Sequence, residues 1–319
     1  MLFRSFMNNF FNEYLLAILL GIIQGITEFL PISSTAHMLL GAKLVTGGKD
    51  IGLAISNIIQ GGTLVAILLY FAKDIKDTFG HILRLKNTEL RNNCIYNIKA
   101  WLYQKTNYKG KFASLDILIA QLVVATLPII IFALALRKQV VNFRENFVAI
   151  ALFLLIGSIL MYWSDMRKHQ VEKDQTQIMS LREVLIIGIF QSFAIFPGIS
   201  RSGATISGAL ILGRPKKDAI RFSFLLSIPT LFLASTKDFW DVLTTTKLPL
   251  FPVIWDSKIT AIPLSWSAIA LASVVSFGVG WFCLNWLLKY LSNKPVRNFV
   301  IYRIILAILL IILVRFKIL

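Results

Sequence analysis

Hydrophobic positions in this chain come in long blocks separated by short polar stretches. Ten apolar segments stand out, at about 14–30, 35–46, 51–72, 115–136, 146–163, 182–196, 203–213, 219–235, 265–288 and 298–316. Leu115–Leu136, Phe147–Trp163, Ser265–Leu288 and Phe299–Val314 carry few or no charges, and a bilayer core takes about 20 apolar residues in a helix. The segments at 35–46 and 203–213 are too short to cross. Each follows a Pro-containing turn, Leu30-Pro31-Ile32-Ser33-Ser34 and Pro197-Gly198-Ile199-Ser200-Arg201. A helix, a break at proline and a short second helix is the pattern of a re-entrant hairpin. The expected fold is therefore all-α, a polytopic membrane helix bundle with six full spans and two re-entrant helix hairpins.

The two hairpins are related in sequence. A shift of 167 residues carries Gly21, Gln24, Phe29, Ile32, Ser33 and Gly41 onto Gly188, Gln191, Phe196, Ile199, Ser200 and Gly208, and also Thr63 onto Thr230 and Asp74 onto Asp241. Polar and glycine matches at one ungapped offset point to an internal duplication. Three spans separate the hairpins, an odd number, so the hairpins enter from opposite faces and the repeat has inverted topology. The expected organisation is one integral membrane domain over 1–319, with repeat 1 at about 14–136 and repeat 2 at about 182–316.

Composition agrees with a bilayer setting. Hydrophobic residues make up 56% and charged residues 15%, with mean hydropathy +0.72, against roughly 25% charged in soluble domains. The net charge of +17 would suggest nucleic acid in a soluble protein, but here the basic residues sit in short loops between apolar segments, where they set orientation. With the 73–112 loop inside, twenty basic residues fall on the inner side and eleven, Arg144 among them, on the outer side, with Arg201 and Arg303 in the membrane part. That distribution expects both termini outside and no nucleic-acid partner. Cys94 and Cys283 give neither a disulfide framework nor a metal spacing, and the first apolar stretch lacks a small-residue cleavage site. The Arg84–Lys111 stretch mixes basic residues with Tyr96, Trp101, Tyr103 and Tyr108, which fits an interfacial amphipathic segment or a solvated loop. Pro249, Pro252 and Pro263 argue against regular helix over Trp240–Ile262.

Ionisable residues deep in a membrane segment are costly and mark functional sites. Glu28 is one, with Gln24 one turn earlier on the same helical face. After the break come Ser33, Ser34, Thr35 and His37. A serine there can cap the short helix, and the Ser-x-x-His spacing places His37 within one turn of the Ser34 hydroxyl, as an acid–base pair would need. The second hairpin offers Ser200, Arg201, Ser202, Gly203 and Thr205, a guanidinium and hydroxyls at a helix start, all of them anion donors. With both tips at the bilayer midplane, the combined chemistry suits a phosphorylated ligand with a lipid tail.

These motifs resemble the undecaprenyl-diphosphate phosphatase family, the bacitracin-resistance type of integral membrane phosphatase. The resemblance covers Gln24 to His37 and Pro197 to Thr205 without a departure, and the segment order extends it over nearly the whole chain. It implies hydrolysis of undecaprenyl diphosphate to the monophosphate carrier lipid, at the outer face of the bacterial cytoplasmic membrane, with Mg²⁺ or Ca²⁺. By matching positions, the expected catalytic residues are Glu28, Ser34, His37 and Arg201, with Glu28 also the metal ligand. The expected substrate-binding residues are Gln24, Ser33, Ser200, Ser202, Gly203 and Thr205. Ser34 would be either a nucleophile or the holder of an attacking water. The competing reading is a transporter or flippase of polyprenyl phosphate or another anion, because inverted repeats with broken helices also characterise carriers.

Overall fold

The computed structural model describes residues 2–47, 51–84, 88–103, 113–144, 146–166, 178–245 and 264–319. They form helices α1 (Leu2–Thr27), α2 (Ser34–Thr46), α3 (Leu53–Tyr70), α4 (Ala72–Arg84), α5 (Thr88–Leu102), α6 (Ala113–Ala135), α7 (Arg137–Arg144), α8 (Phe147–Met166), α9 (Leu181–Ser192), α10 (Arg201–Ile211), α11 (Lys216–Thr245), α12 (Trp266–Asn293) and α13 (Asn298–Arg315). Six of them, α3, α6, α8, α11, α12 and α13, are long and apolar enough to cross a membrane. These are the six spans expected from the hydropathy blocks. The chain is a multi-pass, all-helical membrane protein, with no strand among the described residues.

Both expected helix breaks are present. The helical ladder of α1 ends with the Glu28 N–H donating to the Gln24 carbonyl at 3.0 Å, and Pro31, which has no N–H to extend it, sits in the turn. After α9 the chain makes one 3-10 turn over Phe193–Ile195 and then passes Gly198 at φ 118°, a conformation only glycine adopts without strain. Each short helix then starts at a serine in the left-handed region, Ser33 at φ 74° before α2 and Ser200 at φ 72° before α10. Each serine caps its helix by accepting from the N–H three residues on, Ala36 at 3.5 Å and Gly203 at 3.3 Å. Non-glycine residues rarely hold positive φ. Finding it twice, 167 residues apart, is a structural likeness between the two breaks that sequence matches alone do not express.

Packing pairs the two halves. α1 lies on α12 and α9 on α6, while α3 meets α11 and α8 meets α13. The glycines that the offset relates make equivalent contacts. A Cβ on Gly21 would stand 2.5 Å from the Ala272 carbonyl of α12, and one on Gly188 would stand 2.7 Å from the Ala125 carbonyl of α6. Small residues at these points let helix backbones approach closely in a lipid environment.

Two expectations need correction. α1 starts at Leu2, twelve residues before the first apolar block. The Arg84–Lys111 stretch is not a solvated loop where it is described but helix with one face packed and the other, with Ile95, Tyr96, Leu102 and Tyr103, exposed. Its Thr88–Leu102 portion is helix α5, docked on α6. Asn97 Nδ2 donates to Asp116 Oδ2 at 2.7 Å, and the buried Trp101 donates from Nε1 to the Met179 carbonyl at 2.7 Å. Of the aromatic residues that suggested the interface, Trp101 serves as an internal anchor with its indole N–H satisfied, while Tyr96 and Tyr103 are exposed. Tyr108 lies outside the described residues, as do positions 246–262 of the proline-rich stretch, while Trp240–Thr245 completes α11.

Candidate active site

The two breaks meet inside the bundle. Gly203, at the start of α10, faces Pro31 of the first break so closely that an added Cβ would touch its ring at 3.4 Å. One side chain ties the breaks together. Arg303 of α13 is fully buried, and its Nη1 donates to the Pro31 carbonyl at 3.0 Å. Its Nη2 donates to the Gly198 and Leu154 carbonyls at 3.0 Å and the Ile199 carbonyl at 3.1 Å, and its Nε donates to Ser158 Oγ at 3.0 Å. Positions 31 and 198 are themselves related by the 167-residue offset, so one guanidinium bridges equivalent carbonyls of the two breaks. Buried carbonyls freed by broken helices need donors, and Arg303 supplies them. Gly157 makes room for it, since any Cβ there would collide with the guanidinium.

On the other side of the breaks lies a cavity of about 410 Å³, lined by Glu28, Ser33, Ser34, Thr35, Ser200 and Arg201 together with apolar residues of α6, α7 and α11. Glu28 is its centre. Arg201 Nη2 donates to Glu28 Oε1 at 2.8 Å, while Gln24 Nε2 and Ser34 Oγ both donate to Oε2, at 2.7 and 2.9 Å. The carboxylate thus accepts a hydrogen bond from the Ser34 hydroxyl with one oxygen and pairs with the guanidinium through the other. Arg201 keeps Nη1 buried with no hydrogen-bond partner among the described residues. A buried unpaired guanidinium N–H costs free energy and marks where an anionic oxygen fits. The starts of α2 and α10, at Ser34 and Arg201, both border the cavity and add the positive ends of two helix dipoles.

The expected residues divide. Glu28, Ser33, Ser34, Ser200 and Arg201 line the cavity. Gln24 stands behind Glu28 and orients it. Ser202 meets Ser200 Oγ at 3.2 Å, and the Gly203 N–H is the one that caps Ser200, so both support the break from behind. Thr205 is buried against Ser223 Oγ at 2.5 Å and does not reach the cavity. His37 departs most from expectation. Its Nδ1 lies 2.7 Å from the Ser33 carbonyl and its Nε2 2.6 Å from Tyr302 Oη, with the two rings stacked at 5.6 Å. Because a carbonyl can only accept, Nδ1 carries the proton and Nε2 accepts from the tyrosine in the neutral ring. The imidazole is therefore committed to the strained cap and to α13, and the group facing the Ser34 hydroxyl is Glu28. The i,i+3 spacing had no means of showing a competing partner 265 positions away.

Arg144 went unrecognised in sequence. Counted there as an outer loop charge, it is buried and lines the cavity, with Nη2 donating to Ser56 Oγ at 3.2 Å. Its place at the end of a short basic segment between two spans resembles any membrane-flanking arginine. Ser56, Asn57 and Gln60, polar positions one turn apart in an otherwise apolar span, were the signal that something faces them.

As a cation site the donor set is thin. Among the described residues no cluster of three carboxylate, imidazole or thiol groups occurs, and Glu28 is the one carboxylate among them that lines the cavity. That fits a hard cation which takes one carboxylate and completes its shell with phosphate oxygens and water, as Mg²⁺ does, rather than a site built wholly of protein.

The family described as "Bacitracin resistance protein BacA" matches residues 17–309. Among curated relatives, the undecaprenyl-diphosphatase of Myxococcus xanthus is 34% identical over 294 residues, covering 92% of this chain and 86% of its own length. Undecaprenyl-diphosphatase 2 of Streptomyces avermitilis is 32% identical over 91% of each chain. The undecaprenyl-diphosphatase of Chromohalobacter salexigens is 32% identical over 91% of this chain and 94% of its own. With a family match running from the first helix to the last and relatives aligned nearly end to end, the chain belongs to the bacitracin resistance protein BacA family.

Proposed function

We propose that this protein is an undecaprenyl-diphosphate phosphatase, which hydrolyses the diphosphate to undecaprenyl phosphate and orthophosphate and so returns the carrier lipid to cell-wall synthesis. Bacitracin resistance follows from the same activity, since the enzyme removes the diphosphate form of the lipid. The observation that carries the reading is the Glu28–Ser34–Arg201 cluster: a hydroxyl already donating to a carboxylate, beside a guanidinium with a buried N–H to spare.

The geometry favours Ser34 as the nucleophile. Glu28 takes the Ser34 proton as Oγ attacks the distal phosphorus, the bond to the bridging oxygen breaks, and undecaprenyl phosphate leaves. Glu28 passes its proton to the departing phosphate. Water then attacks the phosphoserine and gives a proton to the freed carboxylate, and Glu28 returns it to Oγ as the phosphorus–Oγ bond breaks and orthophosphate leaves. Arg201, turned from Glu28 toward the phosphoryl oxygens, stabilises charge developing on them. Ser33 and Ser200, fixed at the two caps, hold the approach to the phosphate, with Ser202, Gly203, Gln24 and Thr205 as their supports. Glu28 would hold a divalent cation, Mg²⁺ or Ca²⁺, which would supply charge neutralisation.

The helix–break–helix pairs support two re-entrant hairpins in an inverted repeat, with the site open to the outer face of the bacterial cytoplasmic membrane. The twenty-to-eleven distribution of basic residues supports that orientation. A carrier for polyprenyl phosphate is the second reading, favoured by the broken helices alone. Phosphate release from undecaprenyl diphosphate by detergent-purified protein separates the two. Release with Mg²⁺ or Ca²⁺, suppressed by a chelator and abolished in Ser34→Ala, is expected. No release with either ion points to the carrier, and substantial release by Ser34→Ala overturns the phosphoserine route.

A further inference from the structure

Most polar side chains of the span α3 already have partners. Ser56 Oγ donates to the Gly52 carbonyl at 3.1 Å and accepts from Arg144 Nη2 at 3.2 Å. Asn57 Nδ2 donates to Asp238 Oδ2 at 2.6 Å, and Thr63 Oγ1 donates to the Gln60 carbonyl at 2.7 Å. The side chain of Gln60 is the exception. Gln60 lines the cavity with Glu28, Ser34 and Arg201, and its amide has no hydrogen-bond partner among the described residues. An amide without a partner in an apolar span is costly, so one placed at a cavity wall points to a ligand that bonds to it. Its mount is fixed from two sides. Gly62 packs on α12 so closely that the Ser273 carbonyl leaves no room for a Cβ, and Gln60, two residues away, lies about 200° round the helix from that contact. Ser235 Oγ of α11 donates to the Asn57 carbonyl at 2.7 Å and holds the adjoining turn.

The chemistry of the amide decides what it meets. Its NH₂ group offers two donors, and the oxygens of a diphosphate are acceptors. The donors found so far, Arg201 Nη1 and the starts of α2 and α10, all arrive from the two breaks. Gln60 arrives from a separate span and, being neutral, adds donors without disturbing the balance of the Glu28–Arg201 pair. We infer that Gln60 is a substrate-binding residue, whose amide donates to the phosphoryl oxygens of the diphosphate and gives the headgroup a contact on α3 beyond those at the breaks. This rests on the phosphatase reading of the cavity and adds a residue to it.

Kinetics on the full-length protein in detergent test this. In Gln60→Met, which keeps the length of the side chain and removes its donors, KM for undecaprenyl diphosphate is expected to rise roughly ten- to a hundredfold, the effect of one hydrogen bond to a charged group, with kcat within about threefold. Gln60→Glu keeps the shape but sets a carboxylate against the phosphate, so its KM should rise at least as far. An unchanged KM in Gln60→Met overturns the inference. So does a Gln60→Glu variant that behaves like the parent, which would make the side chain a filler of the cavity wall, and so does a fall in kcat with KM unchanged. Should Gln60→Met not survive purification, Gln60→Glu carries the comparison. If Arg201→Ala and Glu28→Gln leave hydrolysis intact, the reading of the whole cavity fails, whatever Gln60 does.

Discussion

At the scale of residues, both oxygens of Glu28 are engaged, one by Arg201 and the other by Ser34 and Gln24. Glutamine at position 28 would keep the shape but lose the proton acceptor, and would leave the Arg201 charge uncompensated in a buried place, a change that costs about 3–5 kcal/mol elsewhere. Glu28→Gln is therefore expected to lower kcat by roughly 10²–10⁴, the range of a general base. His37→Ala, by contrast, should stay within about tenfold of the parent, because the imidazole touches the cap and Tyr302 rather than Ser34. Steady-state phosphate release on the two variants checks this, and equal losses would return His37 to the role its spacing suggests. Glu28, Ser34 and Arg201 were legible in sequence because a charge or hydroxyl at a membrane break has few bland explanations. The partner of His37 was not, because Tyr302 arrives from the last helix and nothing local announces it. Arg144 was hidden for the opposite reason: an arginine between spans is what any membrane protein shows.

At the scale of elements, the breaks were legible through Pro31 and Gly198, and the capping through Ser33 and Ser200. The left-handed backbone at both caps was not, since serine carries no preference for it. An alanine at Ser33 or Ser200 would lose the cap bond and keep the strained φ. Each change is expected to destabilise by about 0.5–2 kcal/mol, read as a lower melting temperature in detergent, with glycine at the same position milder than alanine because it tolerates the dihedral. If alanine and glycine behave alike, the positive φ contributes nothing. α5 shows the reverse limit. Its basic and aromatic composition fits a surface segment, yet Trp101 and Asn97 fasten it to the bundle, because burial depends on which face meets a neighbour rather than on composition.

At the scale of the whole molecule, the six spans and their order follow from hydropathy, and the two helix breaks fall where the 167-residue offset puts them. The side on which the cavity opens is a matter for labelling, and the protein's own thiols favour that experiment. Burial, followed by the Asp116 carboxylate, pushes the Cys94 thiol up to about 11. The reactive thiolate is then roughly a thousandth of the population at pH 8. Cys94 should react slowly with maleimide near neutrality and about tenfold faster for each pH unit up to 10, leaving a low background for single cysteines introduced at positions 37 and 201. Rapid labelling of Cys94 at pH 7 would contradict its burial against Asp116. The bridge made by Arg303 bears on the motion available to the whole. Carriers built from inverted repeats work by rocking one repeat against the other around a fixed site. Here the carbonyls of Pro31 and Gly198, one from each half, are bolted to the same guanidinium, and charge-assisted bonds of this kind contribute roughly 1.5–3 kcal/mol each. Every rocking cycle would have to shear them in a dry interior and remake them. The pinned jaws of such a vice favour gripping over pumping, a lipid that comes and goes past two breaks held to one another.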